Sequence, residues 1–245
     1  MTKKKLWMIA VGVPLLSVII IYWFYFSKPA AFPENNQLLK SINQMFPEVT
    51  ENVIQETIFL DEHHAYVPFM SEAGNYGMSF WVWEKHKWNV DSINTSGHPH
   101  LWKIDENDPS TYYFVWNIRP DEQVEYMKLF MKKDRAFHIT DGIEEYTTGI
   151  QMEHKVLLSE ESYGVSQLSK DWVSVIDSHL TNLKGKQPNM FFNTNIPEHT
   201  LYFGWTSFND LDRVTFGNST NSSSIFRSGN ERIEFVRILD KLEIE

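Results

Sequence analysis

A long apolar run near the N-terminus restricts what this chain can fold into more than any other feature. Lys3, Lys4 and Lys5 precede 21 uncharged residues from Leu6 to Phe26. As a helix rising about 1.5 Å per residue, this run would be about 31 Å long, which matches the hydrocarbon thickness of a bilayer. Aromatic residues at both ends of the run are typical of the two membrane–water interfaces. The run therefore predicts a transmembrane helix over residues 6–26.

The charges on either side of this helix predict its orientation. The three N-terminal lysines outnumber the single Lys28 at the other end, and positive residues are retained on the cytoplasmic side. We therefore expect residues 1–5 in the cytoplasm, residues 27–33 as a short linker, and the rest of the chain outside the cell membrane. A cleaved signal peptide is the main alternative, but its apolar core would be shorter and FYFSKPAAF is a poor cleavage sequence. A buried core helix is the other alternative, although it would not need so long an uncharged run.

Residues 29–245 are acidic, and the chain contains no cysteine. These residues include 18 basic and 32 acidic side chains, a net charge of −14, which opposes nucleic-acid binding and favours cationic partners. The absence of Cys excludes disulfides, thiolate metal sites and cysteine nucleophiles, and an exported chain without disulfides is more typical of a bacterial envelope. No Gly-x-Ser-x-Gly, phosphate-binding loop or His-Glu-x-x-His sequence indicates a catalytic centre or a cofactor.

A series of short aromatic and β-branched segments predicts a mainly antiparallel sheet. Turn residues separate these segments, and short connections between successive strands imply antiparallel pairing. The predicted strands are VIQETIFL, HAYVPFM, YGMSFWVWEK, KWNVDSI, HLWKI, TYYFVWNI, HTLYFGWTSF and RIEFVRILDKLEI. Residues 121–140 fit either a helix or a hairpin, and we expect a hairpin that turns at Lys133 and Asp134.

Two amphipathic segments predict helices that pack on this sheet. Residues 33–46, PENNQLLKSINQMF, place apolar side chains at helical spacing and end before Pro47. Residues 166–185, SQLSKDWVSVIDSHLTNLKG, have the same pattern and end at a glycine. The predicted fold class is α+β: an N-terminal transmembrane helix followed by a mainly antiparallel β domain with two packed helices over residues 34–245. A second, smaller domain is an alternative at this length.

The lysine-led anchor and the aromatic strands after it resemble a known group of proteins. The segments FWVWEKHKW, GHPHLWKI and DPSTYYFVWNIRP are similar to parts of uncharacterised membrane-anchored proteins of Gram-positive, spore-forming bacteria. The similarity extends from about residue 50 to about residue 180. It implies an extracytoplasmic domain and assigns no catalytic residue.

Histidines in SGHPHLW and LDEHHAY form a candidate metal site. On a strand, His98 and His100 would point to one face, and a sheet could bring His63 and His64 close to them. With a nearby carboxylate, three imidazole nitrogens could hold zinc. Pro99 and the surrounding NTSGHP sequence favour a turn instead, in which the histidines bind no metal. We therefore expect no metal or cofactor, with zinc as the alternative.

Tryptophans are concentrated in the same predicted strands. Trp81, Trp83, Trp88, Trp102 and Trp116 fall within 36 positions, and Trp81 and Trp83 share a face of one strand. On the surface, Trp81, Trp83 and Trp102 could stack against the sugar rings of a glycan. Packed inward, the same rings would form the core of the sheet, which is the more frequent position for such side chains.

Two classes of function follow from these features. The absence of a catalytic motif favours a non-catalytic, membrane-anchored domain that binds an envelope protein or glycan, or has a structural role, at the cell envelope. The alternative is an envelope hydrolase that uses carboxylates or a histidine-bound metal, since catalytic carboxylates need only meet in space. No nucleic-acid partner is expected.

Overall fold

The computed structural model describes residues 11–18, 22, 28–47, 53–71, 74–120, 124–140, 142–158, 162–186, 201–216 and 224–244. Within these residues, no helix has both the length and the apolar character needed to cross a membrane. Residues 11–18 are helical, but they are less than half of the predicted span. Most other positions of that span, and the three lysines before it, lie outside the described residues.

Short strands are the commonest elements of the described chain, and three α-helices accompany them besides the helical residues 11–18. The helices are α1 (Asn35–Met45), α2 (Lys170–Lys186) and α3 (Lys241–Ile244). The strands are β1 (Val53–Ile54), β2 (Ile58–Phe59), β3 (His64–Met70), β4 (Tyr76–Glu84), β5 (Lys87–Asn94), β6 (His100–Lys103), β7 (Tyr112–Asn117), β8 (Tyr126–Lys133), β9 (Ala136–Thr140), β10 (Ile143–Thr147), β11 (Ile150–Leu157), β12 (Tyr163–Gln167), β13 (Tyr202–Phe208), β14 (Ile225–Arg227), β15 (Arg232–Phe235) and β16 (Arg237–Ile238).

The predicted α+β class is confirmed at this level: the described residues form mainly antiparallel sheets with few helices. Both predicted amphipathic helices are present as α1 and α2. The chain divides into two compact units, and the predicted domain over residues 34–245 covers all of the second unit and the part of the first that follows residue 33. The first unit comprises residues 1–74, 78–94 and 225–229, and the second comprises the remaining residues.

The first unit contains a six-stranded sheet with a helix packed on one face. The strand order is β1-β3-β4-β5-β14, and β2 also pairs with β3. Helix α1 begins where the side chain of Gln37 accepts a hydrogen bond from the backbone N–H of Glu34 at 3.1 Å. Leu38 and Ile42, four residues apart on one helix face, are fully buried against Val67 of β3 and its neighbours. This burial fixes the helix on the sheet.

The second unit is a sandwich of two four-stranded sheets. One sheet has the order β12-β7-β6-β15, and the other has the order β11-β8-β13-β16, in which only β13 and β16 run parallel. The facing side chains of both sheets share one apolar core, and the first turn of α2 packs into it through Trp172. Because β11 and β12 are edge strands, each sheet ends there, and the space between the sheets can open to solvent.

The region after Pro120 forms a hairpin that is longer than predicted. Strand β8 pairs with β11, and β9 pairs with β10, in one continuous register. The reversal occurs at Gly142, whose φ of +78° is a conformation that glycine adopts without steric cost. The predicted turn at Lys133 and Asp134 is therefore wrong, since the chain continues as β9 before it turns.

Candidate functional site

A pocket of about 340 Å³ opens at the edge of the sandwich in the second unit. Strands β11 and β12 form two of its sides, and the first turn of α2 forms a third. Neither strand was predicted from the sequence. The pocket therefore depends on elements that only the folded chain reveals.

Two polar residues at inward-facing positions create this pocket. On β11, Met152 and Val156 pack on the core, and the alternation of a strand directs His154 to the same side. On β12, Ser166 lies opposite the core residue Phe114. The His154 Nε2 and Ser166 Oγ atoms are 3.4 Å apart. Apolar side chains at both positions would extend the core, whereas His and Ser leave an opening lined by polar atoms.

The pocket has an apolar floor and an acidic rim. Phe114, Leu168 and Trp172 form the floor, and each is less than one-tenth exposed. The rings of Phe114 and Trp172 meet edge to face, with centroids 5.8 Å apart. Glu153 and Asp171 are exposed at the rim. A ligand in this pocket would therefore contact apolar surface below and negative charge above.

The Ser166–His154 pair does not form a complete nucleophilic centre. A serine nucleophile requires a base that a third group orients. Among the described residues, no carboxylate is hydrogen-bonded to the other ring nitrogen of His154. The geometry therefore favours ligand binding over acyl transfer.

Sequence reasoning did not identify the pocket residues Glu153, His154, Ser166 and Asp171. One signal was present in IQMEHKVL, where a histidine takes an apolar position in an otherwise alternating strand. That signal becomes informative only when β11 is known to be a strand and its inward face is known.

Two of the four predicted metal-site histidines, His64 and His100, have ring nitrogens in contact with other groups. The Nδ1 atom of His64 lies 2.8 Å from both carboxylate oxygens of Asp61. Burial alone would raise the pKa of Asp61, but hydrogen bonds from His64 and from the backbone of His63 lower it below its usual value. The Nδ1 atom of His100 lies 2.7 Å from the carbonyl oxygen of His98. Among the described residues, no three His, Asp or Glu side chains are placed to hold a metal.

Two of the three tryptophans predicted as a glycan platform are core residues. Trp81 and Trp102 are 2% and 0% exposed. The indole N–H of Trp81 donates to Ser79 Oγ at 2.9 Å, and that of Trp102 donates to Glu231 Oε2 at 2.6 Å. Neither ring presents a face to a sugar, so the core alternative describes both. Trp83 differs from them, because it is only partly buried.

Comparisons with protein-family models, with characterised proteins and with solved structures gave no match for this chain. The resemblance to membrane-anchored proteins of spore-forming bacteria therefore stays a prediction.

Proposed function

We propose that this is a single-pass membrane-anchored protein with an extracytoplasmic, non-catalytic domain that binds an envelope partner in the pocket of the second unit. The observation that carries this proposal is the opening that His154 and Ser166 make at the edge of an otherwise apolar core. His154 is exposed and Ser166 is half-buried. A polar side chain at a core-facing position breaks the apolar pattern and weakens packing, and such positions are concentrated at functional sites.

The apolar side chains of residues 11–18 support the membrane anchor. Each is more than half exposed, and side chains at these positions point in all directions around a helix. They are Val11, Val13, Leu15, Leu16 and Val18. A helix that is apolar all round is typical of a membrane segment or a large protein core. The predicted span extends this helix on both sides.

The chemistry of the pocket favours a ligand that combines an apolar portion with a positive charge. The floor of Phe114, Leu168 and Trp172 suits an aliphatic or aromatic group. Asp171 at the rim suits an amine or a guanidinium group, whereas the carboxylate of Glu153 is already paired with Lys128. The net charge of −14 after residue 28 also attracts basic partners and accelerates their association. A basic segment of an envelope protein therefore fits better than a neutral glycan.

A peptide of alternating leucine and arginine residues tests this proposal with the full chain in mild detergent. We expect Ser166→Phe, which fills the pocket, to weaken peptide binding about tenfold or more, a loss of about 1.4 kcal/mol. Ser178→Phe, on the exposed side of α2, is the matched control and should bind like the wild type. Fluorescence anisotropy of a labelled peptide measures both. Equal binding by the two variants would contradict the assignment of the pocket.

An envelope glycoside hydrolase is the second candidate function. The observation that favours it is the presence of two carboxylates, Glu153 and Asp171, at one pocket, since most glycosidases use such a pair. Against this role, both oxygens of Glu153 accept hydrogen bonds from Lys128 Nζ, at 2.9 and 3.0 Å. Mass spectrometry of cell-wall fragments incubated with the wild type, Glu153→Gln and Asp171→Asn decides between them. Cleavage by the wild type that either variant abolishes would establish the hydrolase.

A further inference from the structure

The β4–β5 hairpin of the first unit ends in a turn with aromatic rings on both sides. Trp83 and Trp88 lie opposite each other on the two strands, with ring centroids 5.8 Å apart. The Phe32 centroid is 4.8 Å from that of Trp88, and the Phe59 centroid is 6.1 Å from it. Phe59 is 54% exposed, and the other three rings are partly exposed. These four residues are called the aromatic cluster below.

The turn itself has an unfavourable backbone conformation for its sequence. Its two central residues, Lys85 and His86, have φ values of 52° and 62°. Residues other than Gly, Asn and Asp rarely adopt this left-handed backbone conformation. Two-residue hairpin turns of this kind usually contain Asn and Gly. The side-chain amide of Asn89 donates to the carbonyl oxygens of Glu84 and Lys87, both at 3.1 Å, and holds the turn closed. Local strain of this kind is concentrated at functional positions.

The charge at this turn is opposite to the charge of the chain beyond residue 28. Lys85 and Lys87 are both exposed, and Glu84 is the one acidic residue between Trp83 and Trp88. Residues 84–87 thus carry one net positive charge on a chain whose residues 29–245 carry a net charge of −14. The exposed acidic residues Asp61 and Glu62 lie on the neighbouring loop, where the His63 carbonyl oxygen accepts a hydrogen bond from Trp83 N–H at 2.7 Å. Positive charge between aromatic rings is typical of segments that lie at a membrane surface.

The aromatic cluster is also close along the chain to the predicted membrane helix. The indole N–H of Trp88 donates to the carbonyl oxygen of Ala30 at 3.1 Å, and Phe32 packs within the cluster. Residues 27–31 separate Phe32 from the end of the predicted span. A fully extended chain covers about 3.6 Å per residue, so the cluster lies within about 20 Å of the point where the helix leaves the hydrocarbon.

We propose that the aromatic cluster and the Lys85–Lys87 turn contact the membrane surface. The Trp and Phe rings would lie among the lipid headgroups, and the two lysines would pair with lipid phosphates. Residues 27–31 form a short tether that keeps the cluster close to the bilayer. This proximity raises the effective concentration of lipid headgroups at the cluster, so that even a weak contact is populated. This inference rests on the membrane anchor of the proposed function. It assigns the first unit the role of fixing the domain against the bilayer.

The absence of native cysteine allows a direct measurement with one introduced label. We would place an environment-sensitive dye on His86→Cys and reconstitute the full chain into phosphatidylcholine vesicles that contain phosphatidylglycerol and a headgroup-labelled quencher lipid. The matched control is Glu144→Cys, an exposed position in the β9–β10 hairpin of the second unit. We expect several-fold stronger quenching at residue 86 than at residue 144. Quenching at residue 86 that is no stronger than at residue 144 would overturn the proposal.

Charge reversal tests the role of the two lysines. Lys85→Glu with Lys87→Glu should remove most of the quenching of the dye at residue 86. Lys40→Glu with Lys170→Glu, two exposed positions outside the cluster, changes the net charge equally and should leave the quenching unchanged. Equal loss in both double variants would overturn the proposed contact in favour of a general charge effect.

Alkaline carbonate extraction of the same vesicles tests the anchor separately. If the chain resists extraction while the dye at residue 86 is not quenched, the surface contact alone is overturned and the anchor stands. If the chain is extracted, the anchor fails, and the contact that rests on it fails with it.

Discussion

The pocket of the second unit and the aromatic cluster of the first unit depart from the usual distribution of side chains in opposite directions. In the pocket, His154 and Ser166 are polar residues at positions that face an apolar core. In the cluster, Phe59, Trp83 and Trp88 are large apolar residues that stay partly exposed. Each departure weakens folding, because the first reduces packing and the second leaves apolar area in contact with water. A ligand would compensate for the first, and a membrane surface would compensate for the second.

Truncation of one ring in the core behind the pocket and of one ring in the aromatic cluster should have the largest effect and is the simplest way to break this comparison. Trp116 is 1% exposed, so we expect Trp116→Ala to lower the free energy of unfolding by about 3–5 kcal/mol. Trp88→Ala removes a partly exposed ring and should cost about 1 kcal/mol. Denaturant unfolding of the full chain in mild detergent, followed by circular dichroism, measures both. Equal losses of unfolding free energy in the two variants would mean that the rings of the aromatic cluster are buried like core residues.

The next largest effect is expected at the strained β4–β5 turn. Lys85→Asn with His86→Gly supplies residues that adopt the left-handed conformation at little cost, and should raise the free energy of unfolding by about 1–2 kcal/mol. The same variant removes one lysine from the tip and should weaken the proposed contact with lipid phosphates.

Gly142→Ala, in the β9–β10 hairpin, is the control, because it makes the opposite change and removes a glycine from a left-handed position. It introduces a Cβ where φ is +78° and should lower stability by about 1 kcal/mol. If Lys85→Asn with His86→Gly proves neutral, the backbone at residues 85 and 86 is not strained and the comparison loses one of its supports.

The sequence predicted the two regions unequally, for physical reasons. The strands around Trp83 and Trp88 are rich in aromatic and β-branched residues and are separated by the charged segment EKHK, so the hairpin of the aromatic cluster was recognisable. Its exposure was not recognisable, because burial depends on which elements cover a strand. The pocket was missed because β11 and β12 carry weak patterns, and because the pairing of β11 with β8 is decided by the register of a long hairpin. A His and a Ser twelve residues apart meet only in that register.

Restoring the apolar pattern at the pocket should trade function for stability. We expect His154→Leu with Ser166→Val to raise the free energy of unfolding by about 1 kcal/mol, because it extends the core and removes two polar groups together. The same variant should no longer bind the leucine–arginine peptide. Denaturant unfolding and peptide anisotropy measure the two effects on one preparation. A variant that is destabilised would show that the polar pair holds the sheet edges together, and would contradict the contrast with the aromatic cluster.

The smallest effect concerns His98, a histidine of the second unit that lies outside the pocket. Its ring packs on Trp205, with centroids 5.4 Å apart, and burial lowers its pKa below the usual value. Above a pH of about 6.5, His98 is neutral in both the folded and the unfolded chain, so its contribution to stability is fully present. As the pH falls below about 6.5, the unfolded chain binds the proton first, and stability declines until the folded pKa is passed.

His98→Gln should therefore lose less stability than the wild type between about pH 7.5 and about pH 5.5, as measured by denaturant midpoints. Since every other titrating group is common to both chains, the difference isolates His98. Parallel declines in both chains would show that this histidine is not held neutral by the core, and that the second unit tolerates polar side chains beyond its pocket.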